Sequence, residues 1–164
     1  MVIYLIGPSG VGKSGCARHA AEVLDRAVHA DIDFMCRGRE FDWPTCRDAI
    51  CRVENRAGHE KLNVIVDIGA GPQCSPELRE YLFPKRTQVV LIFGPPEEVV
   101  KRNPLGPNRS IEEYRETEYA RRIELYSVAA HSIDVGGKTQ QRAQAEFVDY
   151  LLRTFPSMRL KDEK

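Results

Sequence analysis

Residues 7 to 14 read Gly7-Pro8-Ser9-Gly10-Val11-Gly12-Lys13-Ser14 and fit the phosphate-loop spacing G-x-x-x-x-G-K-[ST] at every fixed position. Such a loop works only between a strand and a helix, and the sequence supplies both. Val2-Ile3-Tyr4-Leu5-Ile6 is a short apolar run suited to a buried parallel strand, and Cys16, Ala20, Val23, Leu24 and Ala27 recur at helical spacing after the loop. The glycines let backbone N–H groups turn inward around a phosphate chain, and the helix that follows directs its positive dipole end at the same anion. Gly7, Gly10, Val11, Gly12, Lys13, Ser14 and Gly15 are therefore the candidate nucleotide-binding residues. Lys13 would reach the β- and γ-phosphates, and Ser14 would hold Mg²⁺.

Further strands alternate with helices along the chain. Ala27 to Asp33 reads as a second strand, with Asp31 and Asp33 two apart and so on one face. Pro44 can open a helix from about Thr45 to Arg56, ended by Gly58. Leu62 to Val66 is a third strand, followed by the turn Asp67-Ile68-Gly69-Ala70-Gly71 and a short helix marked by Ser75-Pro76, Leu78 and Leu82. Val89 to Phe93 is an uninterrupted apolar run, expected to be buried on both faces, and Pro95 to Arg102 continues as a helix. The breaker cluster Asn103-Pro104-Leu105-Gly106-Pro107-Asn108 sits where a lid would lie, at about 102–110. Ser110-Ile111-Glu112-Glu113 is a capping box that predicts one long helix to about Ala130. A short strand, Ser132 to Val135, the Gly136-Gly137 turn and an amphipathic helix carrying Ala143, Phe147, Leu151 and Phe155 close the pattern.

This alternation predicts an α/β fold of three layers: a five-stranded parallel sheet with helices on both faces and a short lid, all in one domain spanning 1–164. Right-handed crossovers bring the strands' C-terminal ends to one edge, where the phosphate loop, Asp33, Asp67 and the proline-rich segment would meet. Lys plus Arg and Asp plus Glu both total 24, so the balanced charge gives no reason to expect nucleic acid or an anionic membrane as partner. The apolar start is six residues, too short for a signal peptide or a membrane span. Cys16, Cys36, Cys46, Cys51 and Cys74 form no C-x-x-C pair, and His19, His29, His59 and His131 fall at no metal-ligand spacing. Reduced thiols in a cytoplasmic protein are expected, and a monomer.

With these residues assembled, the chain resembles the shikimate kinase family of small P-loop kinases over most of its length. The likeness rests on the GxxxxGKS loop, the Asp-x-Asp after the second strand and the glycine triplet position after the third. It also rests on an arginine-bearing lid and on Arg122-Ile123-Glu124-Leu125-Tyr126. The resemblance implies that Asp33 contacts the acceptor hydroxyl and that Arg47 and Arg122 grip the acceptor's carboxylate, the acceptor-binding segment being about 34–57. It implies that Gly69, Ala70 and Gly71 line the acceptor pocket, and that Arg102 and Arg109 swing over the transferring phosphoryl group. Three departures stand out. Ala70 replaces the central glycine, Asp67 brings a carboxylate where the family usually carries a small hydroxyl residue, and the Phe34 to Arg47 stretch is short.

The expected activity is ATP- and Mg²⁺-dependent phosphorylation of a hydroxyl on a small, anionic acceptor, with shikimate the first candidate. Ser14, Asp31 and Asp67 are the metal candidates, and Lys138 of the Gly136 to Thr139 loop the adenine-side candidate. The alternatives are a different hydroxyl acceptor, such as a sugar acid, a nucleoside or an antibiotic, or a nucleotide-binding regulatory protein without catalysis.

Overall fold

The computed structural model describes residues 1–37, 42–103 and 109–161. The central part of the lid, 104–108, and residues 38–41 of the acceptor segment therefore lie outside the described residues. Five strands, β1 (Val2–Ile6), β2 (Ala27–Asp31), β3 (Asn63–Asp67), β4 (Val89–Phe93) and β5 (His131–Asp134), pair in the order β2-β3-β1-β4-β5, every pair parallel. The helices are α1 (Lys13–Val23), α2 (Ile32–Met35), α3 (Trp43–Glu60), α4 (Pro76–Leu82), α5 (Pro96–Arg102), α6 (Ile111–Glu118), α7 (Ile123–Tyr126) and α8 (Gln140–Thr154). The expected three-layer sheet is present.

Side-chain alternation along β1 builds both halves of the core. Ile3 and Leu5 face α1 and α8 and pack with Cys16, Ala20, Phe147 and Leu151, whereas Tyr4 and Ile6 face α3 and α4 and pack with Ile50, Val53, Leu78 and Leu82. All are nearly or fully removed from water, and each large apolar side chain so buried contributes about 1.5–3 kcal/mol. A sheet covered on both faces leaves only its two ends for ligands, and the loops after β1, β2 and β3 share one of them.

Four expectations change. Asp31 ends β2 and accepts the Phe34 N–H at 2.9 Å as the cap of α2, so Asp33 lies in a helical turn and not on the strand face. Helix α3 passes straight through Gly58 and ends at Lys61, whose φ of 53° supplies the left-handed stop expected of the glycine. Strand β4 has Leu91 and Phe93 only partly buried, since it borders the short β5. The long helix after Ser110 breaks at Glu118: its carbonyl accepts the Tyr126 hydroxyl at 2.7 Å, and the Arg122 N–H goes to Tyr119 in a 3₁₀ turn. That break turns Glu118 and Arg122 inward, where both are buried.

The first glycine of the loop shows how tightly β1 ends. Gly7 has φ 142°, and a Cβ there would collide with the Ile92 carbonyl on β4. Gly7→Ala is expected to cost at least about 2 kcal/mol of stability, read as a lowered urea midpoint at unchanged m-value.

Candidate active site at the phosphate loop

Lys13 opens α1 and folds back inside its own loop, its Nζ donating to the carbonyls of Gly7 at 3.0 Å and Pro8 at 2.9 Å with only 7% of the residue exposed. Burial lowers its pKa, and the carboxylates of Asp67 and Glu118 oppose that shift. The Ser14 hydroxyl hydrogen-bonds to Asp67 Oδ2. Buried Gln73 accepts the Gly7 N–H at 3.1 Å and donates to the carbonyls of Ile68 at 2.7 Å and Gly69 at 3.0 Å, tying the phosphate loop to the turn after β3. A cleft of about 340 Å³ lies over the loop, lined by Gly10 to Gly15, Arg18, Arg102, Val135 and Gln140 among others. Gly7 does not line it; its backbone turns the chain into the loop.

Beside Ser14 the sheet presents a cluster of acids. Asp31 and Asp67 are register partners across β2 and β3, so two carboxylates face each other with the strands' spacing between them. His29, two residues before Asp31 on the same face, joins them: one ligand atom from each of the three lies within 4.8 Å of the others. Sequence spacing does not reveal this histidine, because its companion Asp67 comes from another strand through the β2–β3 register. Burial lowers the His29 pKa, Asp67 and Asp31 pull it up, and Arg18 pushes it down.

Asp33 sits at the same end. Its carboxylate lies against the Cα of Gly69, where a Cβ would overlap it, and accepts a hydrogen bond from the Ala70 N–H. Burial raises its pKa, the fields of Asp31 and Asp67 raise it further, and Lys13 draws it down. The Ala70 substitution thus leaves the backbone donor of the triplet in use.

The arginines are organised by Glu118, a residue that sequence reading passed over although its i, i+4 relation to Arg122 was visible. Its carboxylate accepts the Ser9 N–H at 2.9 Å, Arg109 at 2.9 Å and Arg122 at 2.7 Å. Glu118 and Arg122 are 3% and 6% exposed. Tyr114 donates to the Ser9 carbonyl at 2.5 Å, and the Arg109 guanidinium lies over the Tyr114 ring. Arg102 bonds the Val135 carbonyl at 3.0 Å and lines the loop cleft.

Two expected site residues lie elsewhere. Arg47 is exposed, because α3 turns Cys46, Ala49, Ile50 and Val53 into the core and so points position 47 outward. It lines neither the loop cleft nor the cleft of Arg122. Arg122 instead borders a space of about 190 Å³ with Gln73, Arg79 and Arg121. Lys138 is held by the Asp134 carbonyl at 2.7 Å and by Glu146 at 2.5 Å, and faces a separate cleft, so Val135 and Gln140 take the place expected for it above the loop.

Burial alone would raise the Glu118 carboxyl, but the Ser9 N–H, Arg109 and Arg122 hold it below the usual 4.5. Glu118→Gln removes a buried negative charge that accepts from the Ser9 N–H, Arg109 and Arg122 and is expected to cost about 3–5 kcal/mol at pH 7, measured by urea unfolding. A depressed folded pKa stabilises fully above the unfolded value and is lost as pH falls through the folded one, so the gap between wild type and variant narrows below pH 4.5.

No protein-family model matches the chain. In sequence it is 28% identical to a shikimate kinase of Acinetobacter baylyi over 169 aligned residues, covering 94% of this chain and 92% of that one. In structure it superposes on a tunicamycin resistance protein of Deinococcus radiodurans with a TM-score of 0.71 at 15% identity, covering 99% and 98% of the two chains. A shikimate kinase of Acinetobacter baumannii in complex with shikimate gives 0.63 at 22% identity, covering 94% of each. The chain therefore resembles the shikimate kinases in sequence over most of its length and has the fold of the small P-loop kinases.

Proposed function

We propose that this protein is an ATP- and Mg²⁺-dependent kinase that transfers the γ-phosphoryl group to a hydroxyl of a small, carboxylate-bearing acceptor of the shikimate type. It acts as one cytoplasmic, monomeric domain over 1–164. Among the described residues no helix is long and apolar enough to cross a membrane. The observation that carries the reading is that the phosphate loop and Asp33 share one end of the sheet: Gln73 accepts the Gly7 N–H and donates to the Gly69 carbonyl, and the Asp33 carboxylate lies against that same Gly69.

The residues fit a magnesium nucleotide. The loop glycines are in the conformations a phosphate nest needs, with φ of 79° at Gly10 and 105° at Gly12, and buried Asp67 Oδ1 has no hydrogen-bond partner among the described residues. Ser14, Asp67 and Asp31 would hold the metal, which supplies charge neutralisation to the phosphates. Lys13 supplies a cation already desolvated, so its field acts at close to full strength on the transferring group. Asp33 orients the acceptor hydroxyl and takes its proton, a task suited to a carboxylate whose pKa is raised by burial. Arg102, which lines the same cleft as Lys13, and Arg109, held by Glu118, would add positive charge to the transferring group.

The carboxylate on the acceptor is supported by the likeness to a shikimate kinase and by buried Arg122, which borders one space together with the exposed Arg79 and Arg121. One observation favours a second reading, a neutral hydroxyl acceptor such as a nucleoside: Glu118 already neutralises the Arg122 charge. ADP release measured over shikimate, sugar acids, nucleosides and aminoglycosides separates the two. The first reading expects shikimate or another hydroxy acid to give the highest kcat/KM; no release with any acceptor would leave a nucleotide-binding protein without catalysis.

Lys13→Ala is expected to abolish turnover and, because the Gly7 and Pro8 carbonyls lose their donor, also to lower the urea midpoint, whereas a folded variant with near-normal turnover would overturn the assignment. Asp33→Asn should lower kcat at least about a hundredfold with nucleotide affinity little changed, as read by single-turnover assay and nucleotide titration. Asp33 works deprotonated, so kcat/KM should fall on the acid side with an apparent pKa above the ordinary 3.8, and that limb should be missing in Asp33→Asn.

A further inference from the structure

We propose that His29, Asp31 and Asp67 form a binding site for a first-row transition dication of the Mn²⁺ or Co²⁺ type, occupied independently of nucleotide. The proposal deepens the reading above, since Asp31 and Asp67 are also in the magnesium set; what it adds is an imidazole ligand and with it a different metal preference.

Three independent observations converge on it. Parallel pairing of β2 and β3 sets Asp31 opposite Asp67, and the period of two along β2 puts His29 on the same face as Asp31. As a result one ligand atom from each of the three residues lies within 4.8 Å of the others, a spread that a single dication can close by small side-chain rotations. Second, Asp67 is 3% exposed, and both its Oδ1 and His29 Nε2 are buried atoms without a hydrogen-bond partner among the described residues. Buried polar atoms are normally satisfied, and two such atoms at one cluster mark a position for a ligand. Third, two carboxylates facing each other across a strand pair repel. A dication turns that repulsion into ligation.

The other contacts of the cluster leave room for this role. Asp31 gives Oδ1 to the Phe34 N–H and keeps Oδ2, while Asp67 gives Oδ2 to Ser14 and keeps Oδ1. One nitrogen and two carboxylate oxygens make a borderline donor set. Mg²⁺ favours oxygen ligands in near-ideal octahedral geometry and holds its water, whereas Mn²⁺, Co²⁺ and Zn²⁺ accept imidazole, with affinity rising along the series from Mn²⁺ to Co²⁺.

The test uses the full chain, freed of metal by chelating resin, with no nucleotide or acceptor present. Calorimetric titration with Co²⁺ in excess Mg²⁺ is expected to show one equivalent bound, and His29→Gln to weaken it at least about tenfold while leaving the melting temperature of the metal-free protein near wild type. In the unmodified protein, substoichiometric Mn²⁺ should broaden the imidazole resonances of His29 before those of His59 and His131, a reading that does not depend on any variant folding. Equal Co²⁺ affinity in His29→Gln, binding only when nucleotide is added, or broadening that does not single out His29 would each overturn the proposal. Because the readout is metal binding alone, ADP release with no His29-dependent metal would sink this inference and spare the kinase reading, and the converse result would do the opposite.

Discussion

A lysine ammonium buried to 7% exposure is costly unless acceptors surround it, and the architecture of this end of the protein follows from meeting that need. The carbonyls of Gly7 and Pro8 receive Lys13 directly. Those carbonyls point inward only because the loop leaves β1 at Gly7 with a positive φ, packed against the Ile92 carbonyl. Beyond them, Asp67, Glu118 and Asp33 supply negative charge from β3, α6 and α2, so four segments far apart in sequence are bound to one cation's field. An anion entering this place would meet a cation already stripped of water.

Around that centre the charges divide into two groups. On the β2 and β3 side, burial first and then the fields of Asp31 and Asp67 raise the Asp33 pKa, and buried His29 Nε2 and Asp67 Oδ1 have no hydrogen-bond partner among the described residues. On the α6 side, Glu118 is outnumbered by Arg109 and Arg122 and its pKa is depressed. The phosphate loop lies between a site that wants cations and a site that offers them. Ser9, held by Glu118 through its N–H and by Tyr114 through its carbonyl, links the loop to the arginine side, so the state of one bears on the other.

The side expected to receive an acceptor is where this chain departs from the pattern that its sequence suggested. Helix α3 turns Arg47 to solvent, and Arg79 from α4 stands near Arg122 with Gln73 between the phosphate loop and the same space. Gln73 makes this space and the cleft over the phosphate loop parts of one hydrogen-bonded frame, since its amide bonds Gly7 on one side and the Gly69 turn on the other.

What the sequence by itself determined was local. The loop glycines, the strand and helix periodicities and the capping residue Ser110 each act over a few positions, and so the parallel sheet, the phosphate loop and the positions of Lys13, Ser14 and Asp67 were legible from spacing alone. What only the tertiary structure decided were the partnerships between elements. Helix propensity favoured one helix from Ser110 onward, but the burial of Glu118 against Ser9 and the claim of Tyr126 on its carbonyl broke it there. His29 became a companion of Asp67 through strand register, Arg47 was excluded by the direction α3 faces, and Lys138 was drawn away by Glu146. Such outcomes depend on which surfaces meet across tens of residues of intervening chain, and no window of neighbouring residues carries that information.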